Sequence, residues 1–544
     1  MVNNGAVERG KERRKITWRG WHKWVGLLFS IFIILFSISG IILNHRQIFS
    51  GCEVSRWWLP KAYHINNWNQ SIVKGTIAYG DNLLMWGQAG IWKTDSTFSV
   101  WNDFNDGITE GIDNRKITNI VICGDGTMFC SGLFEAYIYN IESNRWNTVE
   151  LPGNDERISD VALRGSDTVV VITRSSLYEA VAPDYHFVEH QLEKPQGYVN
   201  QTTLFKTIWM LHSGELFGII GRLVVDAMGI ALIVLCLTGI IFFVLRFTIG
   251  QTKSKEKKHK QAGWMKSQLK WHNRLGAGLI VLTLILSVTG MCLRPPFMIP
   301  LVMTHHSPIP GSTMASNNVF HDKLRAIRWD GNLQKWLLST SEGFYYVDSN
   351  LNNAQTEAIA PDKEPQVSPM GLNVFIPDGE NWLVGSFSGL FKWNPSTGKV
   401  IDWFTNEPYN KTSGIPFGGH AVTGYSKDLR ETGGQPVVFE YGGNPTIGGT
   451  KPFEVEMPEV LKNQPMSLWN FALELHVGRC YEPFLGSVVS VLFVFLSGLL
   501  LTLVLISGYI VYRKGKKNSR AGYSRIFIFQ SKLYPFRIGR SLLC

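Results

Sequence analysis

Four long apolar runs constrain this chain before anything else: about 24–44, 219–245, 275–293 and 486–512. Roughly 20 apolar residues suffice to cross a bilayer as a helix. In lipid every backbone polar group must be paired within the segment, which a helix achieves. Mean hydropathy over the 544 residues is zero, so the apolar runs must be balanced by polar domains of substantial size. The first run is no cleavable leader: its apolar core is too long and no A-x-A-like site follows it.

Charge sets the expected orientation. Residues 1–24 hold seven Lys/Arg and two acids, 246–274 hold nine and one, and 513–544 hold nine and none. The long segment 46–210 holds thirteen Lys/Arg against nineteen acids. By the positive-inside rule the basic segments stay on the inner face, so both termini are expected in the cytoplasm of a bacterial inner-membrane protein. The net charge of +10 is then an orientation signal, and no nucleic-acid partner is expected. The resulting plan is a basic N-terminus (1–23), span 24–44, external region 45–218, span 219–245, basic loop 246–274 and span 275–293. External region 294–485, span 486–512 and a basic tail (513–544) complete it. The tail, with Tyr523, Phe527, Phe529, Tyr534 and Phe536, is expected on the inner membrane surface.

The spans carry a repeated motif. Trp21-His22-Lys23-Trp24-Val25-Gly26, running to Ser39-Gly40, recurs as Trp271-His272-Asn273-Arg274-Leu275-Gly276, running to Thr289-Gly290. Leu211-His212-Ser213-Gly214 precedes the second span, which ends with Thr238-Gly239. Leu475-His476-Val477-Gly478 precedes the fourth, which carries Ser507-Gly508. The unit of repetition is therefore span, external domain, Leu-His-x-Gly, span, and both copies start inside as parallel repeats. The four small pairs are expected to let helices approach closely, or to leave room for a flat ligand.

Each external region reads as β-rich. Short runs such as Thr76-Ile77-Ala78-Tyr79 and Leu83-Leu84-Met85-Trp86 flank turn signals at Gly80-Asp81-Asn82, and Asp378-Gly379-Glu380-Asn381 has the same form. A Gly-apolar-aromatic element appears at Gly90-Ile91-Trp92, Gly132-Leu133-Phe134, Gly343-Phe344-Tyr345 and Gly389-Leu390-Phe391, with weaker copies at Ser176-Leu177-Tyr178 and after Gly434. A period of 40–50 residues with several short strands suggests propeller-like modules, three per region. They would form either one six-bladed propeller or two smaller β units. Cys123 and Cys130 flank a hairpin and would form either a cross-strand disulfide or two buried thiols.

The fold class expected is thus a membrane α-helical bundle of four spans, as two parallel repeats, with two β-rich, propeller-like external regions. Four of the thirteen histidines, His22, His212, His272 and His476, sit at equivalent span ends. Ionisable groups at membrane depth are costly and face the bundle interior. Neutral imidazoles converging from facing helices suit haem iron. Two-fold symmetry would bring His22 and His272 to one axial site near the inner face, and His212 and His476 to another near the outer face. His45 is the runner-up at the outer face, and Arg222, Asp226 and Arg294 are candidate charge partners for a bound group. The ordinary reading of any one such His is a membrane-surface residue.

These motifs, across all four spans, resemble the PepSY-associated transmembrane family of iron-regulated inner-membrane proteins. The resemblance implies haem b and outward electron transfer to an acceptor such as a ferric siderophore, and the two histidine sites would set two haems at different depths. No PepSY module is recognisable in either external region, and no dinucleotide-binding Gly motif follows a strand. A reductase of this build would draw electrons from quinol or a separate donor, with a ferric chelate or a periplasmic protein as partner outside and the lipid bilayer around it. The alternative is a non-enzymatic membrane sensor or scaffold whose β domains bind a ligand or protein.

Overall fold

The computed structural model describes residues 17–153, 157–409, 419–429 and 432–533. It divides into two units. One comprises the chain up to Asn44, Gln201–Met314 and everything from Ala472. The other comprises His45–Asn200 and Ala315–Phe471.

The first unit is helical. Its long members are α1 (Trp18–Asn44), α3 (Gly218–Gln251), α4 (Lys255–Gly278), α5 (Ile280–Cys292) and α10 (Ser487–Leu533). Shorter helices are α2 (Leu204–Ser213), α6 (Met298–Met303), α7 (Glu459–Lys462, in the second unit), α8 (Leu468–His476) and α9 (Glu482–Leu485). Helices α1, α3 and α10 are each long and apolar enough to cross a membrane. The third apolar stretch departs from expectation. No straight span covers 275–293; α4 and α5 meet at a 67° bend between Gly278 and Ile280. The Lys-rich α4 takes in the first residues of the apolar run, and the chain turns after Gly278. Helix α10 continues to Leu533, while Tyr534, Phe536 and Cys544 lie outside the described residues.

Helix α1 packs on α3 and α10, α3 on α4, and α5 on α10 and α2. The apolar centre is small: Phe29, Ile33, Leu232 and Leu235, with Phe32, Leu286 and Leu501 around it. Leu28, Ile31, Ile220, Val281 and Val488 point outward and are exposed, as lipid-facing residues should be. Polar contacts tie the helices. Asn44 Nδ2 donates to Asp226 Oδ1 (3.1 Å) and to the Ser213 carbonyl (3.1 Å). Ser287 of α5 donates to the Gly498 carbonyl of α10 (3.0 Å).

The second unit is built of antiparallel sheets. Among the described residues six have four strands each, joined in simple up-and-down order, three from each external region. Their first strands are Gly75–Tyr79, Asn119–Ile122, Ile158–Arg164, Leu324–Asp330, Val374–Asp378 and Val422–Ser426. Two-residue turns Gly80-Asp81 and Gly379-Glu380 join strands where expected, with Tyr79 opposite Asn82 and Asp378 opposite Asn381. Apolar clusters lie between sheets consecutive in the chain: Leu84 and Trp86 meet Ile120 and Met128, and Val121 and Phe129 meet Val161 and Val169. The series also joins its ends, because Val437 and Phe439 of the sixth sheet pack with Val73, Met85 and Trp92 of the first. Where the third sheet meets the fourth, burial pushes the Asp160 carboxyl up and the Arg328 guanidinium opposes it. A short pair, Glu53–Val54 with Met466–Ser467, links the chain's first entry to this unit with its last exit.

Two motif readings need correction. Gly132-Leu133-Phe134 is a loop, and the third strand of its sheet is Ala136–Asn140, because the connection after Ser131 is four residues rather than two. The strand after Gly434, Val437–Glu440, is the second of its sheet. Cys123 and Cys130 are free, buried thiols. Cys130 stands opposite Ile120, three residues before Cys123, so the two thiols face opposite sides of the sheet and join different apolar clusters.

Candidate functional site

The helical unit brings the four span-end histidines together in two pairs. The rings of His22 (α1) and His272 (α4) have centroids 6.1 Å apart at an interplanar angle of 69°. Those of His212 (α2) and His476 (α8) are also 6.1 Å apart, at 53°. His45 follows α1 in a turn segment and belongs to neither pair; His305 and His306 form a two-residue strand beside Thr202–Thr203.

Each ring rests on a neighbouring helix in the same way. His22 Nδ1 lies 3.0 Å from the Val504 carbonyl and 3.3 Å from the Ser507 hydroxyl, on α10. His272 Nδ1 lies 3.1 Å from both the Leu235 carbonyl and the Thr238 hydroxyl, on α3. His212 Nδ1 is 3.1 Å from the Leu286 carbonyl and from the Thr289 hydroxyl, on α5. His476 Nδ1 is 3.2 Å from the Phe36 carbonyl and 3.0 Å from the Ser39 hydroxyl, on α1. The acceptors are always a carbonyl and the hydroxyl three residues later. A buried imidazole N–H without an acceptor would cost about 1–3 kcal/mol, so these seats are worth keeping in a low-dielectric interior.

The glycine after each hydroxyl residue completes the seat. A Cβ added at Gly290 or Gly508 would stand 2.7 Å from Cε1 of His212 or His22, respectively. At Gly40 it would stand 3.3 Å from His476 Cε1, and at Gly239 3.6 Å from His272 Cε1. The small pairs therefore hold an imidazole, a more specific task than helix packing. The other motif glycines have local reasons. Gly26 and Gly276 face Val504 and Leu235, whose carbonyls accept from His22 and His272. Gly214 (φ +83°) and Gly478 (φ +81°) follow α2 and α8 in the left-handed conformation that stops a helix, two residues after the histidine.

The residues fit a haem. A metal–nitrogen bond is about 2.0 Å and a ring nitrogen lies roughly 1.1 Å from its centroid, so two imidazoles that held one metal would have centroids up to about 6 Å apart. Both pairs have that spacing. Among the described residues no set of three His, Cys, Asp or Glu side chains forms a metal-binding group. A haem iron would take the two histidines of a pair. Arg294, just beyond α5, has a buried Nε with no hydrogen-bond partner. It lies five residues past Thr289, the seat of His212, and suits a carboxylate such as a haem propionate. Of the other candidate charge partners, Asp226 is engaged by Asn44, and Arg222 lies near the start of α3.

The sequence located the histidines but not what holds them: the four carbonyls and the four hydroxyls. The available signal was the recurrence of Ser/Thr-Gly once per span, always remote in sequence from its histidine.

A helical unit with two interior histidine pairs, joined to an external unit of antiparallel sheets, defines an integral membrane protein of the bilayer with an extramembrane domain. The profile of the PepSY-associated TM region matches residues 3–246 and 143–515, and the chain belongs to that family. No curated protein matches it. Among solved structures it is similar to the extracellular domain of BT4673 of B. thetaiotaomicron, described as a hybrid two component system, at 11% identity and a TM-score of 0.33. That match covers 69% of this chain and 31% of the other, so the chain spans about a third of that structure's length. PorZ of Porphyromonas gingivalis, a surface component of the type-IX secretion system, is similar at 9% identity and a TM-score of 0.20, over 67% of this chain and 44% of PorZ.

Proposed function

We propose that this protein is an inner-membrane haem b protein that passes electrons from an inner donor, such as quinol, to an external acceptor, of which chelated ferric iron suits an iron-regulated family best. The observation that carries the reading is the pair of histidine pairs, each ring seated alike and spaced for one metal. Bound at these sites, haem b supplies a one-electron couple at each of two depths. His22 and His272 hold the inner position and His212 and His476 the outer one, with both termini cytoplasmic as the basic segments dictate. On α1, His22 and Phe36, whose carbonyl accepts from His476, are 14 residues apart, which is about 21 Å along the helix. On α1 the apolar Phe29 and Ile33 lie between them in the chain and pack with Leu232 and Leu235 of α3. Arg294 offers a cation to a carboxylate near the outer pair.

Four membrane passes, with the bent α4–α5 pair as the third, and a six-bladed propeller from the six sheets belong to the same reading. Packing of each sheet on the next, and of the sixth on the first, supports the propeller. The test is an absorbance spectrum of full-length protein produced with ample haem. A Soret band with two haem equivalents is expected, and its absence overturns the proposal. The alternative, a non-enzymatic sensor or scaffold, would use a surface such as the open polar cleft of about 590 Å³ lined by Asp103, Asp106, Glu110, Arg115 and Arg145 in the sheet unit. Ligand binding there in a protein without a Soret band would support it.

A further inference from the structure

We infer that Ser39, Thr238, Thr289 and Ser507 are positioning residues that hold all four histidines in the Nδ1–H tautomer, leaving every Nε2 lone pair free for a metal. Each hydroxyl proton is already committed within its own helix. Ser39 donates to the Leu35 carbonyl (2.7 Å), Thr238 to Val234 (2.7 Å), Thr289 to Ile285 (2.8 Å) and Ser507 to Val504 (2.8 Å). A hydroxyl has one proton, and in each seat a carbonyl of its own helix takes it, as is usual for Ser and Thr inside helices. What the oxygen turns toward Nδ1 is therefore a lone pair. The second neighbour of every Nδ1 is a backbone carbonyl, which only accepts. Two acceptors converge on one ring nitrogen, so that nitrogen must carry the proton and donate to both.

Nε2 is then unprotonated in every ring, which is the form that binds iron. The two acceptors are neutral, so they orient the imidazole and raise its basicity moderately without pulling the proton away. One hydrogen bond would leave the ring free to swing about its axis; two, with the glycine beneath, fix its plane. The seat always lies on a different helix from the histidine: α10 seats the ring of α1, α1 that of α8, α3 that of α4 and α5 that of α2. Closure of the bundle therefore sets the tautomer. Its consequence for a bound haem rests on the function proposed above, whereas the tautomer is a property of the haem-free chain.

Thr289 is the residue to test, because Val matches its shape without the hydroxyl and Ser keeps the hydroxyl. The first measurement is the ¹⁵N spectrum of histidine-labelled, full-length protein produced without haem, with His212 identified by the signal missing in His212→Ala. The Nδ1–H pattern is expected for His212 in the unsubstituted chain, in Thr289→Ser and in Thr289→Val, where the Leu286 carbonyl still accepts, with the Nδ1 resonance displaced only in Thr289→Val, which lacks the second acceptor. The second is a redox titration of the haem-loaded protein. Loss of the acceptor weakens the ligand's donation to ferric iron, so Thr289→Val should raise the ferrous-to-ferric ratio of one of two haems about three- to tenfold, up to roughly 59 mV for a one-electron couple. Thr289→Ser should stay near the original value. An Nε2–H pattern for His212 in the unsubstituted chain overturns the inference. So does a Thr289→Ser shift equal to that of Thr289→Val, or no shift in either. A chain that binds no haem but shows the Nδ1–H pattern sinks the proposed function and leaves the seats standing.

Discussion

His22 and His272 are carried on long helices, α1 and α4, whereas His212 and His476 end helices of ten and nine residues. The seats beneath the two pairs are nonetheless the same in chemistry and in spacing. The first pair inherits its position from helices whose backbone is fixed over many turns. The second pair stands where the chain reverses into a span, so its position depends on the left-handed glycine that ends each short helix and on the seat itself. Equal geometry has been reached with unequal support, and the second pair should be the more easily lost.

Substitutions probe this difference in support between the two pairs. The largest effect belongs to the ligands. His212→Ala or His476→Ala should remove one of two haem equivalents, and His22→Ala or His272→Ala the other, as counted by haem extraction. Retention of both in all four variants would show that the pairs are not the ligands. Next is Gly214→Ala. A Cβ there would clash with the Gly221 carbonyl oxygen, and a non-Gly residue in left-handed backbone costs about 1–2 kcal/mol besides. Selective loss of the second haem is expected, with a lowered thermal midpoint; equal loss of both haems would deny the difference in support.

Gly290→Ala and Gly508→Ala test the tight side of each pair, where the added methyl meets Cε1 at 2.7 Å. Haem affinity at the corresponding site should fall roughly tenfold or more, as for other groups that orient a ligand. The smallest effect is expected at Gly239. Its Cβ would sit 3.6 Å from His272, ordinary contact, and replacing a helical glycine by alanine gains about 0.8–1.0 kcal/mol in propensity. Gly239→Ala should keep both haems and raise the thermal midpoint. Gly40→Ala, at 3.3 Å, should fall between. If the four alanines behave alike, the slack read from these distances is absent.

Much of this was legible in the sequence for identifiable reasons. A stretch such as Leu27–Leu43 declares itself because one bilayer-length apolar run admits few other fates. Hairpins at Gly80-Asp81 and Gly379-Glu380 were readable because a two-residue turn between strands demands those residue types locally. The loop at Gly132-Leu133-Phe134 misled because it mimics a strand start by composition alone. The bend between Gly278 and Ile280 was hidden inside a continuous apolar run, where the pattern of hydropathy does not change but the direction of the chain does. Cys123 and Cys130 looked close because they are close in sequence, while strand alternation sends them to opposite faces.

Local residue patterns suffice to mark which segments are membrane helices in character, which are strands, and which four histidines stand at equivalent places. These follow from short-range rules of length, periodicity and turn chemistry, and from repetition. The tertiary structure alone decided which histidine faces which and what each ring rests on. His22 is seated on Ser507, 485 residues away, and His476 on Ser39, 437 residues away. No spacing encodes such a partnership, because a hydrogen bond at 3 Å depends on how helices close around one another. Ser-Gly and Thr-Gly were visible as a repeated pattern; only the packed bundle turned each into the seat of an imidazole.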